Sequence, residues 1–101
     1  MTDISREFVL GFIKIHVLYH AQKEGICGID MMKELRRHGY RVGPGTLYPA
    51  LHRMQKDGYL EDTKKTENGR VRIYYKATPK GRQALHNVRP KIGELVSEVL
   101  S

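Results

Sequence analysis

The chain has 101 residues, 40% of them hydrophobic and 29% charged, with a formal net charge of +7 at pH 7. That length suits one domain with a modest core and leaves room for stability from self-association. A single cysteine, Cys27, excludes an internal disulfide, and the five histidines (His16, His20, His38, His52 and His86) are scattered, with no Cys/His group at zinc spacing.

The first predicted helix runs from Ser5, a possible cap, to about Lys23. Phe8, Phe12, Ile15, Leu18 and Tyr19 recur at helical spacing, and Val9, Leu10, Ile13 and Val17 add a second apolar face. A helix apolar on nearly every side must be covered on more than one side, which points to a partner subunit. Arg6 and Glu7 precede an apolar stretch too short and too interrupted for export or membrane spanning, so a reduced, cytoplasmic protein with no membrane association is expected. Gly25 and Gly28 are read as ending this helix. A second helix follows over Ile29–His38, with Ile29, Met32 and Leu35 inward, Lys33, Arg36 and Arg37 outward, and Gly39 as its stop.

Tyr40, Arg41 and Val42 read as a short extended stretch. Gly43-Pro44-Gly45 is turn chemistry, and Pro44 also suits a first helical turn. The third helix, about 44–57, places Leu47, Ala50, Leu51 and Met54 inward. Its opposite face carries Gly45, Pro49, His52, Arg53 and Lys56, flanked by Thr46 and Tyr48. A hairpin follows: 59–67, the turn Asn68-Gly69, and 70–77. Val71, Ile73, Tyr75 and Ala77 share one face; Arg70, Arg72, Tyr74 and Lys76 share the other. The last helix starts at Thr78-Pro79. Leu85, Val88, Ile92, Leu95 and Val99 make a seam spaced 3, 4, 3, 4, which Pro90 is expected to kink or break near Arg89.

This order predicts a mainly α (α+β) fold: a winged helix-turn-helix with a three-helix core, a two-stranded β-wing and a C-terminal dimerisation helix. Residues 1–78 form the DNA-binding unit and 79–101 the dimerisation helix of the same compact body. The charge is concentrated in the middle of the chain. Residues 31–82 carry thirteen basic and five acidic side chains, while 1–30 and 83–101 are close to neutral. A basic middle fits a phosphate-binding footprint. The third helix suits the major groove and the hairpin, about 64–72, suits the wing. Arg53, Lys56, Lys64, Lys65, Arg70 and Arg72 are placed for phosphates. Thr46 and Tyr48 offer hydroxyls near the helix N-terminus, Pro49 lies on the same face, and His52 and Arg53 are nearest base edges. The competing roles are local: a cap for Thr46, packing at the domain edge for Tyr48, and pairing with Glu67 or Glu61 for Arg70 and Arg72.

The stretch Gly43-Pro44-Gly45-Thr46-Leu47-Tyr48-Pro49-Ala50-Leu51-His52-Arg53-Met54, with Gly58-Tyr59-Leu60 after it, resembles the signature of the PadR family of transcriptional regulators. Tyr74-Tyr75-Lys76-Ala77-Thr78-Pro79-Lys80-Gly81-Arg82 resembles a second element of that family, and Gly28 and Glu34-Leu35-Arg36 fit as well. The resemblance is to the family's short form and covers about 8–85. It implies a dimeric DNA binder, usually a repressor, whose C-terminal helix packs on the partner's first helix. The expected dimer interface is Phe8, Phe12, Ile15, Tyr19, Val88, Ile92, Leu95, Val96 and Val99. A small-molecule effector at that interface, beside His16, Tyr19 and His20, is a further expectation. No cofactor and no resident metal are expected, and no nucleophile–base pair or phosphate loop suggests an enzyme. The alternative function is a protein–protein interaction module on the same winged fold, which acidic or apolar exposed residues on the third helix would favour.

Overall fold

Apolar spacing and turn chemistry shape four helices and the hairpin, and pairing with the hairpin adds a third short strand among the described residues. The computed structural model describes residues 3–101, so the first two residues of the expected 1–78 unit lie outside them. The elements are α1 (Ile4–Ala21), β1 (Ile26–Cys27), α2 (Gly28–Arg37), α3 (Pro44–Lys56), β2 (Leu60–Glu67), β3 (Arg70–Ala77) and α4 (Pro79–Val99). The strands form one antiparallel sheet in the order β1-β3-β2.

α1 is capped by Asp3, whose carboxylate accepts from the Ser5 N–H at 3.1 Å, so Ser5 is not the cap. Either residue type suits that position; the chain turns helical at Ile4. The helix ends at Ala21, short of Lys23, because the chain must turn back to lay Ile26 and Cys27 opposite Tyr75 and Tyr74 of β3. That third strand has no signature in two residues of sequence. Gly28 is the first residue of α2 and not part of a turn.

The core joins Ile13, Val17, Leu18 and Ala21 of α1 to Met31 and Leu35 of α2, Leu47, Leu51 and Met54 of α3, and Leu60, Tyr75, Ala77 and Leu85. The inward face of α2 differs from the expected one: Met31 is buried and Ile29 is 51% exposed. In so short a helix, Leu35 belongs to two candidate stripes, Ile29/Met32/Leu35 and Gly28/Met31/Leu35, whose centres lie roughly 70° apart. The second wins because Gly28 lies under the Tyr48 ring, where no larger side chain fits. Residues 40–42 form a loop, not a strand, with Val42 buried as its anchor.

Both α2 and α3 end in Schellman motifs. After α2, the Gly39 N–H donates to the Arg36 carbonyl (3.0 Å) and the Tyr40 N–H to that of Leu35 (3.2 Å). After α3, Gly58 donates to Gln55 (3.0 Å) and Tyr59 to Met54 (2.8 Å). Gly39 (φ 92°) and Gly58 (φ 86°) supply the left-handed conformation that these stops need. The hairpin closes through Asn68 (φ 51°) and Gly69 (φ 76°), the two positive values of a type I′ turn.

α4 is fastened to the end of α3. The Thr78 hydroxyl donates to the Gly58 carbonyl at 2.6 Å and accepts from the Gly81 N–H at 3.0 Å, and the Lys80 ammonium donates to the Asp57 carbonyl at 2.7 Å. Thr78→Val is therefore expected to lower stability by about 1–3 kcal/mol, since it removes a helix cap and strands a part-buried carbonyl. Urea unfolding checks this, and an unshifted midpoint would contradict it. α4 does not break at Pro90: it runs unbroken from Pro79 to Val99. Pro90 leaves the His86 carbonyl without its helical donor, but both residues are exposed, so water can satisfy that oxygen.

Candidate nucleic-acid interface

α3 carries its core residues on one side, which leaves Gly45, Pro49, His52, Arg53 and Lys56 exposed on the other. Among the described residues, none of these three cationic or titratable side chains takes part in an ion pair. The helix begins at Pro44, with Gly43 in the cap position and no side chain capping it. Pro44 has no N–H, and Thr46 and Leu47 donate to the Gly43 carbonyl at 3.1 and 3.0 Å, so of the first turn the Gly45 N–H is the one left toward solvent.

Tyr48 and Thr46 are half-buried and turn to opposite flanks. Tyr48 packs against the core: a Cβ placed on Gly28 would stand 2.7 Å from its ring and hydroxyl. Its ring and His52 face Val71, Arg72 and Ile73 across a groove between α3 and the wing. Thr46 faces α1. A surface groove there is lined by Arg6, Lys14, Thr46, Pro49 and Arg53, and Arg41 lies beside Arg6 and Thr46 in the adjoining one. Arg6, Lys14 and Arg41 thus join the basic face, although sequence reasoning did not single them out. Their only signal was the i, i+8 spacing of Arg6 and Lys14 on α1, and the acidic residues of that segment masked it in a count of charge.

The strand register separates the wing's cations. Lys64 stands opposite Ile73, on the face that looks toward α3, whereas Lys65 stands opposite Arg72 on the other face. Lys64 and Arg70 are exposed. Lys65 lies 4.8 Å from the centre of the Tyr74 ring, and Arg72 reaches Glu67 at 4.0 Å. The Tyr74 hydroxyl donates to the same carboxylate at 2.7 Å, a bond that, with burial, raises its pKa. Glu67 therefore offsets part of the charge at Arg72. Of the α2 cations, Arg36 donates to the Val42 carbonyl at 3.0 Å and so braces the turn into α3, whereas Arg37 pairs with Glu34 of its own helix at 2.9 Å.

Histidines that are far apart in sequence meet in space. His16 stacks on His38 with ring centres 4.9 Å apart, and His20 lies 6.0 Å from His38. Burial lowers the pKa of His16, with the charges of His38 and His20 adding to the effect; burial also lowers that of His20. No helix among the described residues is long and apolar enough to cross a membrane.

Residues 17–87 match the family described as Transcriptional regulator PadR-like. The chain belongs to that family. It is 47% identical over 95 residues to Transcriptional regulator Rv3488 of Mycobacterium tuberculosis, covering 94% of this chain and 89% of the relative. The crystal structure of a PadR-like transcriptional regulator (BC4206) from Bacillus cereus superposes with a TM-score of 0.84 at 32% identity over 92% of each chain. A partial relative, Transcriptional activator GvpE1 of Halobacterium salinarum, is 32% identical over 69 residues, which span 67% of this chain and 35% of that protein. This PadR-like protein is therefore a DNA-binding transcriptional regulator with a winged-helix fold, not an enzyme. The motifs that carry the PadR resemblance have structural reasons. Gly28 makes room for Tyr48, Gly58 stops α3, and Thr78 with Gly81 seats α4 on the end of α3.

Proposed function

We propose that this regulator is a sequence-specific repressor that binds a palindromic operator as a homodimer, with residues 1–78 as the DNA-binding unit and 79–101 as the dimerisation helix. The observation that carries the DNA contact is the exposed face of α3, where His52, Arg53 and Lys56 stand free of ion pairs beside the wing. α3 enters the major groove. Arg53 and His52 meet base edges; Thr46, Tyr48, Pro49 and Lys56 lie along the groove wall, with Arg6, Lys14 and Arg41 on flanking phosphates. Lys64, Lys65, Arg70 and Arg72 place the wing on the backbone. A basic face on α3, rather than an acidic or apolar one, disfavours the interaction-module reading.

The homodimer is supported by what the single chain leaves uncovered. Among the described residues, the exposed large hydrophobics other than Ile29, Val71 and Ile73 lie on α1 or at the end of α4. Phe8 is 58% exposed, Phe12 47%, Leu95 53% and Val99 67%, with Tyr19 and Val96 also exposed. Ile15, Val88 and Ile92 are half-buried at the edges of the same surfaces. Packing α4 on the partner's α1 covers both surfaces and sets two recognition helices about one DNA turn apart.

Nuclease footprinting on the region upstream of its own gene tests this reading. Two protected half-sites about 10 base pairs apart, centre to centre, are expected; an unsymmetric single half-site contradicts the dimeric mode. Arg53→Ala is expected to cost about 1–3 kcal/mol of operator affinity and to relax the base preference at one position in each half-site. An equal loss on every sequence would make Arg53 a phosphate contact.

A further inference from the structure

The geometry points to a transition-metal site formed by His20, Glu34 and His38, where α1 meets the C-terminal end of α2. One ligand atom from each lies within 4.8 Å of the other two. The three ligands belong to two helical pairs at i, i+4 spacing: His20 pairs with the non-ligating His16 on α1, and Glu34 pairs with His38 at the end of α2. Such spacing puts both members of a pair on one helix face. The two faces are turned toward each other.

Three observations make this more than a chance gathering of histidines. His20 Nε2 and His16 Nδ1 are buried with no hydrogen-bond partner, an unfavourable state that a metal bound through His20 Nε2 would relieve at His20. Glu34 is already oriented: Arg37 donates twice to its Oε2, at 2.9 and 3.2 Å, and leaves Oε1 for another partner. His38 is also held. It is the C-cap residue of α2, fixed by the Schellman turn, and His16 stacks on its ring at an interplanar angle of 18°. Outer partners of this kind are how proteins orient metal ligands.

Zinc bonds of about 2.0–2.2 Å place tetrahedral ligands about 3.4 Å apart, so closure requires side-chain shifts of roughly an ångström. Two imidazoles and one carboxylate suit Zn²⁺, Co²⁺ or Ni²⁺, and are a poor set for Mg²⁺ or Ca²⁺. His38 is exposed, which leaves a coordination position for water. The site lies beside His16 and His20, where a small-molecule effector is also expected. Resting on the function proposed above, it has a regulatory consequence: α1 carries the dimer face and α2 leads directly into the recognition helix. A metal joining them therefore couples dimer geometry to DNA binding.

Calorimetric titration of the full chain with Zn²⁺ is the test, with Mg²⁺ as the control ion. One Zn²⁺ per chain is expected, and no Mg²⁺. Outer-sphere changes already cost about 10–100-fold in metal affinity, so His20→Gln, His38→Gln and Glu34→Gln should each weaken Zn²⁺ binding at least about 10-fold. His86→Gln, on the exposed side of α4, should leave it unchanged. Zinc should also raise the thermal unfolding midpoint of the native chain and not that of His20→Gln. Absence of Zn²⁺ binding, or equal affinity in all variants, overturns the site: the histidines are then a packing cluster. Operator affinity with and without Zn²⁺ reads the coupling. A several-fold change in the native chain, absent in His20→Gln, supports it; no change overturns the coupling alone. Failure to bind any duplex would instead count against the proposed function, because the calorimetry needs no DNA.

Discussion

Leu95→Glu is expected to give a folded monomer whose operator affinity is lower by at least about 100-fold. Leu95 is 53% exposed in the single chain and belongs to no part of the core, so its loss should not unfold the subunit. In the proposed dimer it is covered by the partner's α1, where an unpaired carboxylate is strongly unfavourable. The effect on DNA follows from linkage of the two half-sites. Once one subunit is bound, the second engages its half-site at an effective concentration that multiplies affinity by about 10²–10⁴, and a monomer forfeits that factor. Sedimentation equilibrium should give the mass of one chain, circular dichroism should be unchanged, and anisotropy should show the weakened binding. A variant that still sediments as a dimer would remove α4 from the interface.

The second large effect is on stability. Gly81→Ala should destabilise the domain by about 3 kcal/mol, a loss that corresponds to roughly 10–20 °C in unfolding temperature for a domain of this size. A Cβ at Gly81 would collide with the Tyr59 carbonyl and meet a Leu18 methyl at 3.2 Å. The carbonyl cannot yield cheaply, because it accepts from the Thr78 N–H at 3.1 Å and lies next to Gly58, which is tied to the Thr78 hydroxyl. Relief therefore requires α4 to lift from the end of α3. In contrast, Gly93→Ala meets nothing within 4 Å and should be neutral or slightly stabilising. Calorimetric unfolding of the two variants side by side checks the argument. Equal midpoints would show that the α3–α4 junction accommodates the methyl group.

The elements legible in the sequence are those whose ends are written in local chemistry. α3 lies between Gly43-Pro44 and Asp57-Gly58, and the hairpin closes at Asn68-Gly69, so both were readable to within a residue. Features set by distant partners were not. β1 exists only because β3 offers an edge to Ile26 and Cys27. The inward stripe of α2 was decided by Tyr48 packing over Gly28, a contact between residues twenty positions apart. Pro90 does not end α4, since an exposed helix can leave one carbonyl to water. On the candidate interface, the exposed face of α3 follows from the period of Leu47, Leu51 and Met54. The contributions of Arg6, Lys14 and Arg41 depend on how α1 and the 40–42 loop pack beside Thr46. The i, i+4 pairs of the histidine cluster were present in the sequence, but their convergence depends on the angle between α1 and α2.

The central claim, a dimeric sequence-specific regulator, is tested most directly by fluorescence anisotropy. A labelled duplex from the gene's own upstream region is compared with a scrambled duplex at two salt concentrations. The account requires preference for the upstream duplex, saturation at two chains per site, and an affinity that falls steeply with salt as Lys and Arg release counterions from phosphate. A folded protein that binds neither duplex at low salt would contradict it and turn the exposed face of α3 toward a protein partner.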